Sequence, residues 1–80
     1  MIKNRWQDMK YNDFLNSWEV YWAEGTRRYS IGCGEYFKLY LGNEIELSCR
    51  IELGMEWYII VEPNDTKFDL NPKETYKIDI

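Results

Sequence analysis

The sequence predicts an all-β domain, a small barrel or sandwich of five to six short antiparallel strands occupying residues 1–80 as a single unit. Three observations carry that expectation. From Ser17 onward apolar and polar residues alternate with period two, the mark of half-buried strands. Turn-forming residues recur between the alternating runs, at Gly25, Gly42-Asn43, Gly54, Pro63-Asn64-Asp65 and Asn71-Pro72. Four Trp, seven Tyr and three Phe supply large buried areas to a chain that is otherwise short for a stable core. Short strands with regular turns favour closure, because closure removes exposed edges.

The elements follow in order. Ile2, Trp6 and Met9 are spaced as on a short helical turn, whereas "DMKYN", "DFLNS" and "WEV" read as a hairpin. The hairpin is preferred for residues 8–22, and residues 1–7 are left unassigned between the two. In "SWEVYWA" Trp18, Val20 and Trp22 share one face, with Glu19 and Tyr21 on the other; Glu24-Gly25-Thr26 then turns the chain. "EYFKLYL" sets Phe37, Leu39 and Leu41 inward against Tyr36, Lys38 and Tyr40. "EIELSCRIE" turns Ile45, Leu47, Cys49 and Ile51 inward, and "EWYIIVE" adds Trp57, Ile59 and Val61. Pro63 breaks the sheet, since it has no N–H to donate. A short "KFDL" segment and a second break at Pro72 lead to "TYKIDI", where Tyr76, Ile78 and Ile80 share a face suited to a closing edge strand.

The hairpin "IELSCRIELGMEWYIIVE" determines which acids meet. A three-residue loop at Leu53-Gly54-Met55 sets Ile51 opposite Trp57, Cys49 opposite Ile59 and Leu47 opposite Val61. A slip of one residue would turn this apolar row toward water, so burial selects the register. The same register places Glu52 opposite Glu56, Glu46 opposite Glu62, and Arg50 opposite Tyr58. Like charges in such positions cost about 0.2–1 kcal/mol each. An acidic face of this kind ordinarily serves solubility; its sharper reading is a docking surface for a basic partner.

Composition excludes several functions. There is no histidine, which removes the commonest general base and transition-metal ligand. Two cysteines without paired C-x-x-C spacing make neither a zinc site nor a disulfide framework. No cofactor and no metal is therefore expected. No apolar run reaches the roughly 20 residues that cross a bilayer, and the start of the chain does not read as a signal peptide. The expected setting is cytoplasmic, with reduced thiols. The net charge of −4 is concentrated in residues 29–62, against +1 for residues 1–28 and −1 for residues 63–80. An acidic middle argues against a duplex-DNA binder.

Gly32-Cys33-Gly34 invites a catalytic reading. A nucleophilic Cys33 needs a neighbouring base or cation, and only Arg27 and Arg28 are near in sequence. Cys49 sits on the apolar row, where a thiol behaves as a small core group. Glu46 and Glu62 form a carboxylate pair with no evident pocket. A dinucleotide fingerprint needs G-x-G-x-x-G between a strand and a helix, and here a strand follows. The two glycines are read as a corner with Cys33 tucked beside it, and the domain as non-enzymatic.

In these elements the chain resembles an uncharacterised family of very small β domains found in Gram-positive bacteria, their phages and conjugative elements. The resemblance rests on "KYNDFLNSWEV", on Cys33-Gly34-Glu35-Tyr36-Phe37, on Arg50-Ile51-Glu52 and on Trp57-Tyr58-Ile59, covering about residues 9–60. It implies an SH3-like barrel and a mobile-element origin, and it transfers no catalytic residues. Two binding functions follow as expectations. The first is a protein-binding module that inhibits a host defence nuclease, in the manner of an anti-CRISPR protein, by offering an acidic wedge to a basic nuclease or nucleoprotein complex. Its contacts would be Glu44, Glu46, Glu52, Glu56 and Glu62, with Tyr36, Tyr40 and Tyr58 as anchors. The alternative is a single-stranded nucleic-acid-binding barrel using a basic, aromatic strip of Arg27, Arg28, Tyr36, Lys38 and Tyr40, with Tyr21 and Trp22. The oligomeric state is expected to be a monomer or weak homodimer, with residues 75–80 as the edge that would pair.

Overall fold

The computed structural model of the protein describes residues 6–22 and 28–80. The fold is all-β: β1 (Gln7–Asn12), β2 (Ser17–Tyr21), β3 (Arg28–Ser30), β4 (Tyr36–Gly42), β5 (Ile45–Leu53), β6 (Trp57–Val61), β7 (Thr66–Asp69) and β8 (Tyr76–Asp79). All eight lie antiparallel in one sheet of order β3-β2-β1-β8-β4-β5-β6-β7. Eight strands exceed the five or six expected, in part because β3 and β7 are too short, at three and four residues, to display a period. Those two strands end the sheet, which is not closed into a barrel. No helix occurs among the described residues, and Met9 of the helical spacing lies in β1. Ile2, the Glu24-Gly25-Thr26 turn and Arg27 fall outside the described residues.

The expected first hairpin forms, with Tyr11 opposite Trp18 and Met9 opposite Val20. Its turn is built by two asparagines. The Asn12 side chain accepts the Phe14 and Leu15 N–H groups at 2.9 and 3.2 Å, and Asn16 takes a φ of 53°, a left-handed conformation that asparagine tolerates.

One face of the sheet carries a single core of Met9, Trp18, Val20, Ile31, Phe37, Leu39, Cys49, Ile51, Ile59, Val61, Leu70 and Ile78. For strands at both ends to share it, the sheet must curl. The Trp57 indole N–H at the start of β6 donates to the Asn16 carbonyl at 3.3 Å. In a flat sheet β1 and β6 would stand four strand spacings apart, about 19 Å.

Several expectations require correction. Strand β8 is not an edge: it lies between β1 and β4, with Ile78 opposite both Gln7 and Leu39 and wholly buried. Its place follows from an apolar face that needs strands on both sides. The β5–β6 hairpin is displaced by two residues, with Leu53 opposite Trp57, Ile51 opposite Ile59 and Cys49 opposite Val61. The loop is Gly54-Met55-Glu56, closed by the Gly54 N–H on the Glu56 carbonyl at 3.1 Å. A shift of two keeps every side chain on its face and removes both like-charge oppositions. Glu52 now faces Tyr58 and Arg50 faces Ile60, Glu46 faces Tyr40, and the Glu62 N–H reaches Ser48.

Leu41 and Ile45 were expected inward but are 56% and 53% exposed. A register irregularity between Tyr40 and Gly42 bulges the chain at Leu41. The flanking strands stop short of this tip, β8 at Leu39 and β6 at Cys49. Glu19, expected on the solvent side, is only 2% exposed. Its carboxylate accepts from Arg28 Nη1 and Ser30 Oγ, each at 3.1 Å, so β3 covers and satisfies it.

Candidate functional site

The Gly32-Cys33-Gly34 segment is a structural corner. The Glu35 N–H donates to the Gly32 carbonyl at 3.2 Å while the Glu35 carboxylate accepts the Gly32 N–H at 2.7 Å. Gly34 takes a φ of 88°, where an L side chain would be strained. Gly34 and Glu35 then extend the ladder against Ile51, at 2.7 and 3.0 Å. Cys33 is not tucked into this corner: it is exposed between the two glycines. Cys49 is buried, and its Sγ donates to the Phe37 carbonyl at 3.6 Å.

The outer face of the sheet holds most residues expected to bind a partner, and there charges meet opposite charges. Glu46 lies 3.3 Å from Lys38 and Glu52 lies 2.9 Å from Arg50. The hydrogen bond to Glu52 holds the Arg50 guanidinium above its ordinary range. The Tyr58 ring lies beneath Lys67 Nζ, 4.6 Å from its centroid. Glu44, Glu56 and Glu62 are exposed in three separate turns and carry no ion pair among the described residues.

The basic, aromatic strip is divided. Tyr36, Lys38 and Tyr40 share the outer face of β4, where Tyr40 packs on Trp6 with centroids 4.7 Å apart. Arg28 lies on β3, with β2, β1 and β8 between them, about 19 Å away along the sheet. Tyr21 and Glu19 hold its charge, the hydrogen bond that Arg28 donates to the Tyr21 oxygen first, and push the guanidinium up.

What the sequence reading missed is a groove on the inner face, between the β1–β2 turn, the β5–β6 loop and Pro72. It encloses about 310 Å³ and is walled by Tyr11, Trp18, Leu53, Trp57 and Leu70. Tyr11 and Trp18 meet at 5.3 Å, and the edge of Tyr76 supports Trp18 at 5.6 Å. Tyr76 is itself fixed, its hydroxyl accepting the Asn71 N–H at 2.9 Å. Two of the groove's polar groups are occupied internally: the Tyr11 hydroxyl and the Trp57 N–H both go to Asn16. The walls are mainly ring and alkyl carbon, with the Glu56 carboxylate at the edge. At its rim the β5–β6 hairpin exposes Leu53 and Met55, and the β1–β2 turn, which reaches the groove through Asn16, exposes Phe14 (96%) and Leu15. The signal was present as "DFLN" and "LGM", two turns carrying apolar residues where polar ones are usual. Only the curl of the sheet brings the β1–β2 turn, at Asn16, to Trp57 at the start of β6.

Among the described residues no cluster of three His, Cys, Asp or Glu is arranged to hold a metal, and no helix is long and apolar enough to cross a membrane. No curated protein and no solved structure matches the chain. Residues 7–80, from the first residue of β1 through the whole sheet, match the family described as Domain of unknown function (DUF5348), and the chain belongs to that family.

Proposed function

We propose that the domain acts by binding a protein partner rather than by catalysis, and that the aromatic groove receives it. The observation that carries this reading is the groove: it is walled by two tryptophans and lined by the exposed Leu53 and Met55, and the turn that supplies Asn16 to it also exposes Phe14 and Leu15. Single exposed apolar residues are ordinary, but a contiguous set beside a concavity marks an interaction surface. Large aromatics in such a pocket supply most of the energy of a protein interface. The groove's walls are mostly aromatic and aliphatic, so the partner contributes an apolar segment, and Glu56 at the edge favours a basic residue beside it.

The narrower form of this proposal makes the partner a basic nuclease or nucleoprotein complex of a host defence system, with the domain as an anti-CRISPR-like inhibitor encoded on a phage or conjugative element. Its support is the net charge of −4, the absence of ion pairs at Glu44, Glu56 and Glu62 among the described residues, and the resemblance described above. The single-stranded nucleic-acid reading keeps Tyr36, Lys38 and Tyr40 as its platform, with Arg28 too distant to join them.

The test compares capture of host proteins by the wild type and by Phe14→Ser/Met55→Ser. Both side chains project into solvent, so the double variant should keep the wild-type circular dichroism and melting temperature. Loss of a captured partner, by about tenfold or more in affinity, supports the groove. Equal capture by both proteins overturns it. Loss on Glu44→Lys/Glu62→Lys instead would move the interface to the acidic turns, and tight, salt-sensitive oligonucleotide binding would favour the nucleic-acid reading.

A further inference from the structure

We propose that two copies of the chain associate edge to edge through β7, antiparallel, with Phe68 on the two-fold axis. Strand β7 ends the sheet, and all four of its residues, Thr66, Lys67, Phe68 and Asp69, are exposed. The direction of its backbone groups follows from its pairing with β6. The Leu70 N–H donates to the Trp57 carbonyl at 3.1 Å. Bonding direction alternates along an antiparallel strand, so Thr66, Phe68 and Leu70 turn their N–H and C=O toward β6. Lys67 and Asp69 turn theirs outward, to the free edge.

A second β7 must bond to those outward groups, which leaves three symmetric registers. Two of them set Lys67 opposite Lys67 or Asp69 opposite Asp69 and so place like charges across the junction. The third sets Lys67 opposite Asp69 of the second copy, on both sides of the axis. It alone is self-complementary: each Lys67–Asp69 pair exchanges two backbone hydrogen bonds and brings opposite charges together on the outer face. A lysine on an edge strand by itself discourages strand addition. An aspartate two residues later converts the same charge into self-recognition, because an isologous contact repeats every interaction on the other side.

The inner face agrees with this register. Phe68 meets Phe68 of the second copy as a non-hydrogen-bonded pair, the closer of the two antiparallel pair types, with Cα atoms about 4.5 Å apart. Phe68 is 53% exposed in the single chain. It borders an apolar groove of about 230 Å³ lined by Leu41, Leu47, Ile59 and Tyr76, in which Asp69 is the one charged lining residue among the described residues. A second aromatic ring covers this surface without burying an unpaired charge.

Sedimentation velocity from roughly 1 µM to 1 mM tests the proposal. The wild type is expected to show a reversible monomer–dimer equilibrium. Lys67→Asp and Asp69→Lys each place like charges across the axis and should weaken the dimer by about tenfold or more. The double variant restores opposite pairing in the reverse sense and should recover wild-type affinity to within about threefold. A wild type that stays monomeric throughout overturns the proposal, as does a dimer indifferent to the single reversals or not rescued by the double one. Hydrogen exchange on the wild type reads the same contact without any variant: the Lys67 and Asp69 amides should gain protection as the concentration rises, and free exchange in a dimeric sample would overturn the assignment to β7.

Discussion

Cys49 has no accessible surface, and burial, reinforced by the negative field of Glu62, pushes its thiol up from 9.0 to about 12. The unfolded chain therefore releases this proton at a lower pH than the native one. Between those values the native state binds more protons, so the slope of stability against pH is negative. The contribution is complete below about pH 9 and is lost progressively through about pH 12. Cys49→Ala removes it together with a cavity cost that does not depend on pH. Urea unfolding from about pH 8 to about pH 11 should thus show the stability gap between wild type and Cys49→Ala constant at first and shrinking above about pH 9. A gap that stays flat across the range would contradict the shifted thiol. Cys33, exposed at its corner, should react with a thiol reagent in the native protein while Cys49 reacts only on unfolding. The sequence distinguishes the two thiols by their neighbours alone: Cys49 sits in an alternating apolar run and Cys33 between glycines. Glu19 shows the limit of that logic. It occupies a polar position of the same alternation, and only the pairing of β3 makes it buried.

At the scale of the elements, the β4–β5 turn carries the clearest local strain. Gly42, Asn43 and Glu44 all have positive φ, at 92°, 52° and 62°. The first two residue types accept that conformation; glutamate does not, and the left-handed region costs an L residue about 1–2 kcal/mol. Glu44→Gly relieves the strain but gives the unfolded chain more freedom, for a net stabilisation of about 0.5–1 kcal/mol. In a domain of this size that corresponds to a rise in melting temperature of roughly 2–8 °C. An unchanged or lower melting point would mean that the glutamate makes a compensating contact at this turn. Hairpins of this kind were legible in the sequence, because the turn residues and the alternation agree. The exact pairing of β5 with β6 was not. Registers two residues apart present the same faces to core and solvent, so burial cannot choose between them, and the choice falls to Leu53 against Trp57 and to the absence of opposed glutamates. The bulge at Leu41 was equally hidden, since it changes no residue type.

The whole molecule depends on its last strand. Strands β1–β3 form one meander and β4–β7 another, and no strand of the first pairs with a strand of the second; β8 joins them by pairing with β1 on one side and β4 on the other. Alternation in "TYKIDI" announced a strand but not its neighbours, because strand order is set by contacts distant in sequence. The groove inherits the same dependence, since its two walls, at Trp18 and Trp57, belong to different meanders. Deleting residues 76–80 should therefore do more than remove an edge. It opens β1 and β4 as unpaired edges, takes Ile78 out of the core and separates the walls of the groove. For 80 residues a total stability of about 4–12 kcal/mol is ordinary, and Ile78→Ala alone should cost about 2–5 kcal/mol of it. The truncated chain is expected to lose dispersed amide resonances and a cooperative urea transition, while Ile78→Ala keeps the fold with a lower midpoint. A truncated chain that retained a native-like spectrum and a single sharp transition would show that the two meanders hold together without β8, through the Trp57–Asn16 contact and the shared core alone.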